Sequence, residues 1–174
     1  MRLPALNQLV AAVQALAHPE RIYVLGSSSL LASCPELGEP GGPVELTRDA
    51  DLLIQPCDEQ LAAMLHEAVG EGSLFAQRNG CNADILREQI IETLPRGWET
   101  RLVKLGSDTV AALAPEDLLV VKLRTGRPKD LDLSRDVLRH GLVTPGQLRS
   151  RLDATQLDER EIRAVYERLR KVIG

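Results

Sequence analysis

Asp49 and Asp51 stand one residue apart in the run Thr47-Arg48-Asp49-Ala50-Asp51-Leu52-Leu53-Ile54. On a strand, residues two apart project to the same face with their Cα atoms about 7 Å apart. Two carboxylates placed this way can share a pair of Mg²⁺ ions spaced about 3.5–4 Å, the arrangement used for metal-dependent phosphoryl transfer. Upstream, the apolar segment Tyr23-Val24-Leu25 runs into Gly26-Ser27-Ser28-Ser29. A small turn of this kind lets backbone N–H groups approach phosphates with no Cβ in the way. A third acid, Asp84, interrupts Ala83-Asp84-Ile85-Leu86, and a buried carboxylate is costly unless paired or metal-bound. Lys122 interrupts the apolar run from Leu118 to Leu123, and Arg127-Pro128-Lys129-Asp130 follows it. A flexible point cation there could neutralise phosphate charge.

Plainer readings exist for each group. Asp49 and Asp51 could be a strand-end pair beside Arg48, and Asp84 could face solvent. Lys122 could snorkel to water. Arg127, Lys129 and Asp130 could open a helix with a local ion pair worth at most ~1 kcal/mol. His18, His66 and His140 are isolated and read as structural. Ser27-Ser28-Ser29 has neither the Gly-x-Ser-x-Gly setting of a serine nucleophile nor the Gly-Lys-Ser/Thr of a P-loop.

These residues need elements to hold them. Leu6, Leu9, Val10, Val13 and Leu16 recur at helical spacing over residues 4–17. Residues 21–25 read as a buried strand, 26–29 as a turn into a helix through Ala32, and 35–43 as a Pro/Gly-rich loop. Residues 45–54 read as the strand carrying Asp49 and Asp51, and Asp58 as the N-cap of a helix reaching about Val69. Strands are expected at 73–77, 81–86, 100–105 and 108–113. Pro115 then opens a helix with acids in its first turn, where the helix dipole favours them, ending near Gly126. Further helices are expected at about 129–140, 144–152 and 158–172. The pattern predicts an α+β fold with a small mixed sheet, flanking helices and a C-terminal helical part. Residues 1–114 would form the core, with 115–174 packed on it.

The chain has 174 residues, 44% of them hydrophobic, which suffices for one packed domain. Aromatics are few (Tyr23, Phe75, Trp98 and Tyr166), so the core must be aliphatic. No apolar run approaches the ~20 residues that span a membrane, and the first residues lack a signal-peptide pattern. A cytoplasmic protein without a membrane partner is therefore expected. Cys34, Cys57 and Cys81 are odd in number with no Cys-x-x-Cys, so reduced thiols are expected rather than zinc. The net charge of −4 is uneven: from Lys122 onward 13 Lys+Arg face 8 Asp+Glu (+5), leaving −9 on the rest. Such a split fits metal at one place and a polyanion nearby, or simply solvated Arg-rich helix faces.

In order and type, Gly26-Ser27, Asp49-x-Asp51 and Asp84 resemble the signature of the nucleotidyltransferase superfamily that includes DNA polymerase beta. The spacer is longer than usual by the segment 35–43. Leu94-Pro95-Arg96-Gly97-Trp98, the helix opened by Pro115-Glu116-Asp117 and bearing Lys122, and Gly126-Arg127-Pro128-Lys129-Asp130-Leu131 are similar to AbiEii-type nucleotidyltransferases and related uncharacterised bacterial families. That type includes toxins of toxin–antitoxin systems, generally with more helical mass after this block. The resemblance implies a minimal nucleotidyltransferase fold and transfer of a nucleotide from an NTP to an acceptor, RNA (tRNA) or protein. It implies Mg²⁺ (or Mn²⁺) on Asp49, Asp51 and Asp84, with Asp84 also helping to activate the attacking hydroxyl. Phosphates would lie on Gly26, Ser27 and Ser28, with Lys122 as the catalytic cation and Arg127, Lys129 and Asp130 completing the nucleotide site. A cognate antitoxin would be a further partner. The competing expectation is a non-catalytic binding module, or antitoxin-like partner protein, that keeps the fold.

Overall fold

The computed structural model describes residues 1–174. In chain order it contains α1 (Leu3–Ala17), β1 (Arg21–Val24), β2 (Asp49–Gln55), α2 (Glu59–Val69), α3 (Leu74–Asn79), β3 (Asn82–Leu86), β4 (Val103–Lys104), β5 (Val110–Ala112), α4 (Pro115–Thr125), α5 (Pro128–Arg139), α6 (Pro145–Asp153) and α7 (Glu159–Ile173). Short 3₁₀ turns lie at Ser27–Ala32, Pro35–Gly38, Glu88–Thr93 and Trp98–Arg101. The five strands form one mixed sheet in the order β3-β2-β1-β5-β4, so the fold is α+β with flanking helices. β1 runs antiparallel to β2 and parallel to β5, while β2 and β3 are parallel.

Alternation along β2 buries Ala50, Leu52 and Ile54 and turns Asp49, Asp51 and Leu53 to the other face. On that second face Tyr23, paired with Leu53, meets Trp98 edge-on at a centroid distance of 5.3 Å. Buried side chains from the sheet and from every helix but α3 join in one largely aliphatic cluster. Within it α4 is the hub: Leu118, Leu119, Val120 and Leu123 are buried, and the helix packs on α5, α6, α7 and the 27–32 turn. No helix is long and apolar enough to cross a membrane.

Several expected elements differ. The segment expected as a strand at 73–77 is α3: Ser73 accepts the N–H of Ala76 as N-cap, and Gly80 closes the helix in the left-handed region. The strand expected from residue 45 starts at Asp49. The carbonyls of Val44 and Glu45 accept the terminal ammonium of Met1, both at 2.6 Å, and the chain turns there instead of pairing. The helix expected after Gly26 is a 3₁₀ turn. The strands expected at 100–105 and 108–113 shrink to two and three residues, and the start of the first is taken up by the 3₁₀ turn at Trp98–Arg101. The N-cap at Asp58 is present, its carboxylate accepting the N–H of Leu61 at 2.7 Å.

Candidate active site

β1 ends at Val24, and Leu25 N–H donates to the Asp51 carbonyl at 2.9 Å. That bond draws the Gly26 turn against the strand that carries the acids. Gly26 has φ −87°, a conformation open to any residue, so its identity is set by space. A Cβ at Gly26 would lie 1.6 Å from Asp51 Oδ2. The Asp51 carboxylate therefore lies directly against the glycine backbone, and only a residue without a side chain fits.

The turn and the acids face a cleft of about 490 Å³ between the sheet and the helical part. Gly26, Ser27, Asp49, Asp51, Lys122, Arg127, Lys129 and Asp130 all line it. Eight of the ten residues singled out from the sequence thus meet in one place, though they span more than a hundred positions of chain. The two others lie elsewhere. Ser28 is fully buried beneath the turn, its hydroxyl without a protein partner. Asp84 is exposed and borders a neighbouring groove. Register nevertheless sets Asp84 beside Asp51 on the same face of the parallel pair β2–β3.

Burial pushes the Asp51 carboxyl above the usual carboxylate range. The Asp49 charge adds to this, Lys122 opposes it, Asp84 adds and Lys129 opposes. Asp51 is thus a carboxylate held out of water among like charges, stabilised by whatever cation reaches it.

Lys122 Nζ lies 3.2 Å from Asp130 Oδ1, and both side chains are largely buried, 16% and 3% exposed. The helical spacing that brings Lys122 to the cleft also buries its apolar neighbours, and the start of α5 supplies the counter-charge. Asp130 Oδ2 has no hydrogen-bond partner. A buried carboxylate oxygen left free is costly, so the pair fixes Lys122 at a price in stability.

The donor set suits a hard cation. Mg²⁺ is commonly held by one or two carboxylates together with substrate phosphates and water. Asp49 and Asp51 supply such a pair, and no group of three His, Cys, Asp or Glu side chains gathers to cage an ion alone. The free cysteines Cys34, Cys57 and Cys81 stand apart from one another.

The sequence did not point to the apolar wall of the cleft. Leu86, Ile90 and Leu94 supply it from the end of β3 and the 88–93 turn, opposite Leu118 and Val121 of α4. A 3₁₀ turn has no 3.6-residue rhythm to find, so no periodic signal marked them. Leu46, 89% exposed, stands at the lip, where the expected strand gives way to a turn.

A second groove, of about 1170 Å³, adjoins the cleft, and Leu86 lines both. Asp84 opens onto it together with Glu20, Asp58, Glu59 and Glu88, against a single Arg87.

Comparison with known families matches residues 1–170 to a family described as nucleotidyltransferase of unknown function (DUF6036). No curated protein matches the chain, and no solved structure does.

Proposed function

The chain belongs to this nucleotidyltransferase family, and from that premise we propose that it moves an NMP from an NTP to an acceptor hydroxyl in a reaction dependent on Mg²⁺ (or Mn²⁺). The observation that carries the reading is the Asp51 carboxylate seated against Gly26, in one cleft with the Lys122–Asp130 pair.

Asp49 and Asp51 would hold the metal, which when bound neutralises the triphosphate and polarises the reacting phosphorus. Gly26 and Ser27 would present the backbone to the phosphates, where a side chain at residue 26 would block the approach. Lys122, steadied by Asp130, would balance charge on the leaving pyrophosphate, with Arg127 and Lys129 at the mouth. The acceptor oxygen bonds to the α-phosphorus as the bond to pyrophosphate breaks, and the hydroxyl proton passes to Asp84 or to water. Asp84, beside Asp51 in register, would act on the acceptor from the neighbouring groove. Positioning and charge neutralisation would supply most of the rate.

The similarity to AbiEii-type proteins and the basic C-terminal half support an RNA end, such as tRNA, as acceptor in a toxin–antitoxin setting with a cognate antitoxin. The acid-lined groove at Asp84 supports a second reading. An acceptor reaching Asp84 from that side meets five carboxylates and one arginine, which favours a basic protein segment over a polyanion.

The test is transfer of label from each α-³²P NTP in Mg²⁺, with total RNA or cell extract, using wild type, Asp49→Ala/Asp51→Ala and Gly26→Ala. Label on RNA or on protein, lost in both variants, is expected and names the acceptor class. No transfer and no Mg²⁺-dependent NTP binding by the wild type would instead favour the non-catalytic binding module.

A further inference from the structure

Two arginines outside the cleft hold the turn that carries its cations. Arg168 of α7 donates from Nη1 to the carbonyls of Leu123 at 2.7 Å and Arg124 at 2.6 Å. These carbonyls belong to the last turn of α4, where no intrahelical N–H remains to satisfy them. The guanidinium lies directly over Gly126: a Cβ there would sit 2.2 Å from Arg168 Cζ. Gly126 also has φ +68°, so glycine is needed both for its backbone and for the passage of Arg168. Arg127, Lys129 and Asp130 enter the cleft wall directly after it.

Arg124 braces the same helix end from another side. Its Nη1 donates to the Thr93 carbonyl at 2.7 Å, on the turn that forms the opposing apolar wall, and its Nη2 donates to Glu161 Oε1 at 2.9 Å. Glu161 is itself the return arm of the capping box that starts α7. Arg135 Nε reaches the Lys171 carbonyl at 3.3 Å, tying α5 to the end of α7.

We infer that Arg168 is a positioning residue: by capping α4 from α7 it sets the turn that presents Lys122, Arg127, Lys129 and Asp130 to the nucleotide. This rests on the nucleotide reading of the cleft. The α7 helix is then a buttress of the donor site, and Arg168 acts through the turn without touching substrate.

The experiment compares wild type with Arg168→Ala, Arg168→Lys and Val165→Ala. Val165 is buried on the same helix and is absent from the bonds that hold the turn. Two readouts are taken on the full chain: affinity for each Mg²⁺-NTP, and amide exchange at Gly126, Asp130 and Leu131. Those N–H groups bond to the carbonyls of Lys122, Arg127 and Arg127. Arg168→Ala is expected to weaken NTP binding about tenfold, the scale of one lost charged hydrogen bond, and to speed exchange at the three amides. Arg168→Lys should recover part of both, and Val165→Ala, though less stable, should change neither. Unchanged exchange in Arg168→Ala, or an equal loss of affinity in Val165→Ala, overturns the inference. If the wild type binds no NTP, the nucleotide reading fails, and the exchange data still decide whether Arg168 holds the turn.

Discussion

Asp51 occupies a position that works against the stability of the fold. Its pKa is raised by burial and by the neighbouring acids, above the ordinary unfolded value of about 3.9. Between those two pKa values the folded protein binds the proton more tightly than the unfolded chain, so this group's contribution to stability falls as pH rises. Above both values the penalty is present in full. Asp51→Asn carries no charge, so in metal-free protein it is expected to raise Tm at pH 8. The advantage should shrink as pH falls toward about 4, the unfolded carboxylate range. Thermal melts in EDTA across this range check the sign, and an unchanged or lowered Tm at pH 8 would contradict the account. Lys122 and Asp130 show the same economy, since the pair fixes an ammonium at the cleft and leaves Asp130 Oδ2 without a partner.

At the scale of elements, the cleft depends on how the 3₁₀ turns and α4 lock together. Asp117, in the first turn of α4, is fully buried. It accepts two hydrogen bonds from Arg101, at 2.8 and 2.9 Å, and Arg101 also donates to the Arg96 carbonyl at 3.1 Å. This ties the 98–101 turn to the helix that bears Lys122. The sequence places Asp117 where the helix dipole favours an acid, and the fold adds the half-buried arginine partner that the local pattern could not show. Arg101→Met should leave Asp117 buried without its counter-charge and cost about 3–5 kcal/mol. Urea denaturation would measure the loss. Arg101→Met combined with Asp117→Leu should recover much of it, because an apolar pair has no charge to strand, and failure to recover would refute the pairing as the cause.

The whole molecule behaves as one packed body in which the helical part completes the sheet's core. Leu118, Leu119, Val165 and Leu169 belong to the same buried cluster as Leu6, Ile22 and Leu52. Removal of α7 would expose that cluster and uncap α4 at once. A chain ending before Asp158 is therefore expected to lose cooperative unfolding of the remainder, with near-ultraviolet circular dichroism and the melt weakening together. A sharp melt retained by the shortened chain would show that the core stands without α7. The charge split has a spatial counterpart as well, since nearly all the charged side chains that line the groove at Asp84 are acidic, while Lys122, Arg127 and Lys129 line the cleft.

What could be read from the chain alone was whatever depends on neighbours in sequence. The spacing of Asp49 and Asp51 sets their shared face because a strand alternates every residue. Asp58 and the Pro115 helix start carry their own local geometry, and Lys122 stands out as a charge inside an apolar helix. Short-range signals also failed where they were ambiguous, as at 73–77, where an N-cap serine and a closing glycine outweighed the strand-like side chains. Only the tertiary structure decided which of these residues meet. The approach of the Asp51 carboxylate to Gly26, too close to admit a Cβ, the Lys122–Asp130 and Arg101–Asp117 pairs, and the passage of Arg168 over Gly126 are all contacts between separate elements. They are set by packing and desolvation in a single core, and local sequence carries no record of which distant side chain will be there.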